Sequence, residues 1–171
     1  ADYCSSQRDM KGYLATLRLL YARPEFPLER KLELFGRITS DRKFYGEHYF
    51  ALGALASTRA LHCPTDKRTI DLYGDHLIAG GEIDAALQHF KLHLKDEPPQ
   101  MDYYMAVIDM EEYLGHTDSL DHYVQRAMEV FPDDPTLPIR KANRLYVRGD
   151  LHGAIATFQQ ALEMVQTDSL R

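Results

Sequence analysis

His89 and His93 stand four residues apart, the spacing that puts two imidazoles on one face of a helix where both could bind a single metal ion, as two zinc ligands do. No third ligand is evident near them in sequence, and no metal or cofactor is expected. Cys4 and Cys63 are too few for a disulfide framework and lack the close spacing of a zinc site. If the first three helices pack antiparallel in sequence order, Cys4 precedes one helix and Cys63 follows the end of a parallel one. That puts the sulfurs roughly 25 Å apart, far beyond disulfide reach, so free, buried, inert thiols are expected. No nucleophile elbow, HExxH, phosphate loop or GxGxxG is present; Gly80-Gly81 has neither a strand before it nor a lysine after it. With no nucleophile and base spaced for attack, the chain does not read as an enzyme.

Charge narrows the remaining classes. The 171 residues hold 26 acids against 20 bases, a net charge of −6, and no basic block, which argues against a nucleic-acid binder that must neutralise phosphates. No apolar run approaches the roughly 20 residues needed to cross a bilayer. The longest, Tyr49 to Ala56, is interrupted by Gly53. A 44% hydrophobic content suffices for a continuous core without metal or disulfide.

The elements that must carry any site repeat every 34 residues. Gly81 to Pro98 (GEIDAALQHFKLHLKDEP), Gly115 to Pro132 (GHTDSLDHYVQRAMEVFP) and Gly149 to Gln166 (GDLHGAIATFQQALEMVQ) align without gaps. Apolar residues recur at helical spacing, as in Ile83, Leu87, Phe90 and Leu94 or Leu151, Ile155, Phe158, Leu162 and Val165. Each of Gly81, Gly115 and Gly149 can take the left-handed conformation that ends one helix and opens a hairpin turn. Asp134 reads as a cap, with Pro135 at the first helical position and Pro138 still within the first turn. Upstream, helices are predicted over about Ser6 to Ala22, Leu28 to Ile38 and Asp41 to His62, broken at Pro24 to Pro27 and Thr39 to Ser40.

This pattern resembles the tetratricopeptide repeat family, marked by a small residue in the first helix, then Gly, Ala, an aromatic and Pro. The first repeat supplies Tyr73-Gly74, Gly81, Ala86, Phe90 and Pro98; the third supplies Ala142, Gly149, Ala154, Phe158 and Ala161; the second supplies Gly115, Ala127 and Pro132. It departs at Ile108, Leu120 and Val124, and the third repeat ends in Gln166 in place of Pro. In this register His93 falls at a packing position usually held by Ala. The resemblance implies an all-α, right-handed α-solenoid of antiparallel helix hairpins, about nine helices in all. Residues 1–66 form a degenerate capping hairpin plus an extra helix, with Pro64 continuing the register, and 67–171 form three repeats (67–100, 101–134, 135–168).

The family's groove positions, carried over through the register, are Arg68, Asp71, Asp75, Ile78 and Ala79 in the first repeat. The second gives Asp102, Met105, Asp109, Glu112 and Tyr113, and the third Thr136, Ile139, Asn143, Tyr146 and Val147. Five acids face one base. The family's C-terminal carboxylate grip needs Lys, Arg and Asn, and of the matching positions only Asn143 fits. An acidic groove with Met105, Tyr113 and Tyr146 as anchors suits a basic or amphipathic protein or peptide segment, while Tyr104 and Tyr123 read as core. The resemblance thus implies a non-catalytic binding scaffold, with a ligand-sensing or regulatory repeat domain attached to an enzyme or signalling protein as the alternative.

A narrower resemblance rests on LRLLYARPEFPLERKLELF, on repeats ending KDEP and RAMEVFPDDP, and on GHTDSLDHYVQRAMEVFP between them. It is to exported tetratricopeptide proteins of Bacteroidetes bacteria. That implies a longer parent with an upstream signal peptide, further repeats beyond Arg171 and a periplasmic or exported location, with the cytoplasm as the alternative.

Overall fold

The structure, a computed structural model, describes residues 9–62 and 65–168. Cys4, Cys63 and Pro64, and the expected helix start at Ser6, lie outside them. Regular structure among the described residues is entirely α-helical. In chain order the helices are α1 (Met10–Ala22), α2 (Leu28–Thr39), α3 (Arg42–Glu47), α4 (Tyr49–His62) and α5 (Lys67–Ala79). They continue with α6 (Ile83–His93), α7 (Met101–Tyr113), α8 (Thr117–Val130), α9 (Thr136–Val147) and α10 (Leu151–Asp168). By contacts the chain forms two compact units, Ala1–Glu82 and Ile83–Arg171. That boundary falls inside the stretch 67–100, so α5 belongs to one unit and α6 to the other.

Three turns share one hydrogen-bond pattern. Gly81, Gly115 and Gly149 have φ of 75°, 73° and 85°, a region where a Cβ is strained. Around Gly115 its own N–H donates to the Glu112 carbonyl at 3.1 Å and the His116 N–H to the Glu111 carbonyl at 3.0 Å. Gly81 with Glu82, and Gly149 with Asp150, repeat both bonds onto Ile78 and Leu77 and onto Tyr146 and Leu145. This is the Schellman motif, which satisfies carbonyls that a helix end would otherwise leave open. The N-cap of α9 is Pro135, not Asp134 as expected, and the helix begins at Thr136; Asp134, one residue before the cap, still accepts from the Thr136 N–H at 2.8 Å.

The first unit packs α1 to α5 around Leu17, Tyr21, Phe35, Ile38, Leu52, Leu55 and Ala56. Lys31 is buried there, and its ammonium is satisfied by the Tyr21 and Arg23 carbonyls at 3.1 and 2.5 Å. A cation thereby closes the negative end of α1. The helix expected over Asp41 to His62 is two helices, broken at His48 (φ −121°, ψ 20°), which brings the helices described to ten instead of about nine. Gly46 weakens the last turn of α3, and aromatic contacts anchor the chain on both sides of the break. Phe44 packs on the His48 ring at 4.4 Å, while Tyr49 stacks on His76 at 4.2 Å and 9°.

His76 is buried, its Nδ1 2.6 Å from the Tyr45 hydroxyl, and its Nε2 so close to Gly53 that a Cβ there would lie at 2.5 Å. α4 and α5 can approach this closely because residue 53 has no side chain. Burial lowers the His76 pKa below its ordinary 6.5, with Glu82 opposing more weakly.

In the second unit the α6 face Leu87, Phe90 and Leu94 is buried, with Phe90 5.5 Å from the Tyr103 ring of α7. Tyr104 and Val107 complete this seam. The three positions that depart from the repeat pattern, Ile108, Leu120 and Val124, are all buried, so larger apolar residues occupy the same packing places. Tyr104 is core as expected, whereas Tyr123 is half-buried, its ring 4.9 Å from the Lys91 ammonium. Ala142, Ala154 and Ala161 keep α9 and α10 close. Two periods after α6, however, Ile155, Phe158 and Leu162 are exposed.

Equivalent leucines therefore differ in environment: Leu94 is 5% exposed and Leu162 57%. Leu94→Ala is expected to lower stability by about 2–5 kcal/mol and Leu162→Ala by under about 1 kcal/mol, read from urea unfolding midpoints. Equal losses would mean that the α10 face is covered. For His76 the unfolded chain takes up its proton near 6.5 and the folded chain only at lower pH. Its neutral burial thus favours folding above the unfolded value, and that contribution is lost as pH falls through the folded one. The urea midpoint should drop between pH 7.5 and 5.5, and His76→Asn should flatten the drop; an unchanged slope in the variant would assign it to another group.

Candidate ligand-binding faces

On α5, Asp75 and Ile78 are exposed and Asp71 is half-buried. Asp71 and Asp75 line one cavity of about 570 Å3, together with Tyr45 and His76 and the apolar Leu32 and Phe35. Lys67 lies 2.8 Å from Asp71, and Arg68, the one base at a groove position, also lines the cavity but is held by Asp66 at 2.8 Å and Glu29 at 3.1 Å. Asp75 has no ion pair among the described residues. Burial, and then repulsion from Asp71, raise its pKa above the ordinary 3.8, with Lys67 opposing. A cation brought to Asp75 would relieve that strain on its charge.

In the second unit Asp102, Asp109, Glu112 and Tyr113 are exposed on α7 and Met105 is half-buried. Ile139, Asn143, Tyr146 and Val147 are exposed on α9. Arg140 reaches from α9 to Asp109 at 2.7 Å and Glu112 at 3.8 Å. The count of five acids against one base thus leaves out Lys67 and Arg140, which lie off the family's groove positions yet reach its acids. A cavity of about 600 Å3 opens among α7, α8 and α9, and Glu112 and Asn143 both line it. Ile78, Asp102, Met105, Tyr113, Ile139 and Tyr146 line neither cavity.

Sequence reasoning missed a buried carboxylate. Glu111 is fully buried and accepts from Lys91 at 2.5 Å, His116 at 2.8 Å and Ser119 at 2.5 Å, tying α6, α7 and α8 together. Burial pushes its pKa up, but the hydrogen bonds from Lys91, Ser119 and His116 and the Lys91 charge outweigh it and hold it below the ordinary 4.5. A carboxylate held ionised in this way is a weak base. His116 and Ser119 each bind Glu111, so the trio is a cross-link and does not have the geometry of an activated nucleophile. By residue type Glu111 and Glu112 are indistinguishable; only helical phase, three and four residues after Ile108 and Val107, marks Glu111 as inward.

His93 turns to Asp96, Nδ1 to Oδ2 2.6 Å, and its ring lies 5.1 Å from that of His89. No three His, Cys, Asp or Glu side chains are grouped to hold a metal ion among the described residues. Nor is any helix among them long and apolar enough to cross a membrane.

No protein-family model matches the chain, and no curated protein matches it in sequence. Among solved structures, the crystal structure of MamA matches over 99% of this chain and 96% of that one, with a TM-score of 0.66 at 16% identity. At that identity the likeness concerns the fold alone. Together with the all-helical chain and the three glycine turns, it establishes an all-α, tetratricopeptide-like repeat fold.

Proposed function

We propose that this chain is a non-catalytic scaffold that binds a protein or peptide segment along the α7 and α9 faces, the first helices of the repeats 101–134 and 135–168, with the α5 face of the stretch 67–100 as a separate surface of the first unit. The observation that carries this reading is the exposure of Tyr113 (78%) and Tyr146 (63%), large rings left in water on well-formed helices. Beside them stand the polar groups Asp109, Glu112 and Asn143 and the exposed Val147. Aromatic anchors set among polar groups are the composition of a protein interface centre. The likeness of fold to MamA supports a scaffold over an enzyme.

The segment is amphipathic: its apolar residues meet Tyr113, Tyr146 and Met105 and its basic ones the acids of α7, while on the first unit Asp75, without an ion pair among the described residues, by itself suits a basic residue. With Asp109 and Glu112 sharing Arg140, the α7–α9 face is close to charge-balanced, and there apolar contact sets affinity while charge sets register.

A panel of amphipathic peptides with and without Lys and Arg, followed by fluorescence anisotropy, tests this. Tyr113→Ala and Tyr146→Ala should each weaken the best binder by about tenfold or more with unchanged circular dichroism. Affinity for Lys- and Arg-containing peptides should fall with salt. Binding untouched by both tyrosine changes would place the site elsewhere, and indifference to basic residues and salt would remove the charge preference.

A further inference from the structure

Over α9 and the residue after it, every charged side chain is basic: Arg140, Lys141, Arg144 and Arg148. This is unusual in a chain of net charge −6. The three arginines are four apart, one row along the helix, where like charges repel. All three line the cavity of about 600 Å3 among α7, α8 and α9. Its apolar lining is Ile108, Leu120, Val124 and Val147. A second cavity of about 270 Å3 adjoins it, sharing Val124, Arg144 and Arg148 and adding Lys141.

The α8–α9 crevice is short of negative charge. Asp121 is its one lining acid on the α8 side, and it serves both Arg144, at 2.6 Å through Nε, and Arg148, while Arg144 Nη2 also donates to the Thr117 carbonyl at 3.4 Å. Lys141 is left to the Gln125 side-chain oxygen at 3.2 Å. On the α7 side Arg140 meets Asp109 and Glu112, whose side chains are more than half exposed. Each guanidinium carries five N–H donors in a planar fork, and these contacts use only a minority of them. The unused edges of Arg144 and Arg148 are shaped for a carboxylate or phosphate. A bare inorganic ion would leave the apolar lining unfilled, and the larger cavity falls within the volume range of small-molecule sites.

We infer that this crevice binds a small organic anion, its carboxylate or phosphate head on Arg144 and Arg148 and its apolar body along Leu120, Val124, Ile108 and Val147. The crevice shares Glu112, Asn143 and Val147 with the proposed peptide face, but neither Tyr113 nor Tyr146 lines it, so the tyrosine variants and the arginine variants test the two readings separately. The ligand would join α8 to α9, and thereby the second repeat's hairpin to the third.

Isothermal titration at low ionic strength with decanoate, decyl phosphate, decanol and inorganic phosphate tests it. One equivalent of decanoate or decyl phosphate should bind, and the tighter of the two identifies the head group. Decanol and inorganic phosphate should each bind at least tenfold more weakly. The Arg144→Gln/Arg148→Gln double variant should lose tenfold or more in affinity for the anions. Thr117→Phe, which narrows the crevice while keeping its charges, should do the same, and carries the test if the double variant does not fold. Leu162→Gln, on the exposed α10 face, should change nothing. Decanol binding as tightly as the anions, anion binding that survives both crevice variants, or binding lost in Leu162→Gln would overturn the inference.

Discussion

A backbone conformation that only glycine adopts cheaply stands between paired helices, and the placement of every face in the second unit follows from it. With φ near +73° at Gly115 and +85° at Gly149, the chain reverses within two residues while the last carbonyls of α7 and α9 stay hydrogen-bonded. A longer or looser connection would let the second helix rotate about its axis. Because the turn is the same each time, a residue's position within the 34-residue period sets which way it points, while its burial depends on what packs over that face, as the buried Leu94 and the exposed Leu162 show.

Packing then divides the residues sharply. Positions toward the partner helix hold Ala142, Ala154 and Ala161, whose small size lets α9 and α10 close, and the seam between α6 and α7 holds the rings of Phe90 and Tyr103, while the Tyr104 ring packs on Phe131 at the end of α8. Where α6, α7 and α8 meet, a cation, a hydroxyl and an imidazole share the Glu111 carboxylate, so a buried charge is satisfied on every side instead of excluded. Arg140 and Asp121 perform a looser version of the same task between α9 and its neighbours, at partly exposed positions where water competes with each ion pair. The result, within the second unit, is a closely packed group of α6, α7 and α8 and a wetter junction, with cavities, between α8 and α9. A small anion bound in those cavities would tie α8 to α9.

Much of this was legible in the sequence because the period is carried by glycine and alanine, residues whose meaning is steric and local. Gly81, Gly115 and Gly149 mark the turns, and Asp134 marks the start of α9 to within one residue, from type and spacing alone. The break at His48 was not legible, since it follows from aromatic contacts of Phe44 and Tyr49 with residues distant along the chain. Lys31 was hidden for the same reason: nothing in its neighbours says that it closes α1. The groove residues were legible as exposed positions, but their charge was not, because Lys67 and Arg140 reach the acids from neighbouring helical positions. The row Arg140, Arg144 and Arg148 carried a readable four-residue spacing. Its significance needed the cavity, which exists only once α8 and α9 are packed.

The central claim is that a left-handed glycine with its pair of backwards hydrogen bonds sets the register of the α7–α8 and α9–α10 hairpins. Through-hydrogen-bond scalar couplings in the isotope-labelled protein report it directly. Couplings from the His116 amide to the Glu111 carbonyl and from the Asp150 amide to the Leu145 carbonyl are expected, with positive φ at Gly115 and Gly149. Absence of both couplings, with negative φ at these glycines, would contradict it.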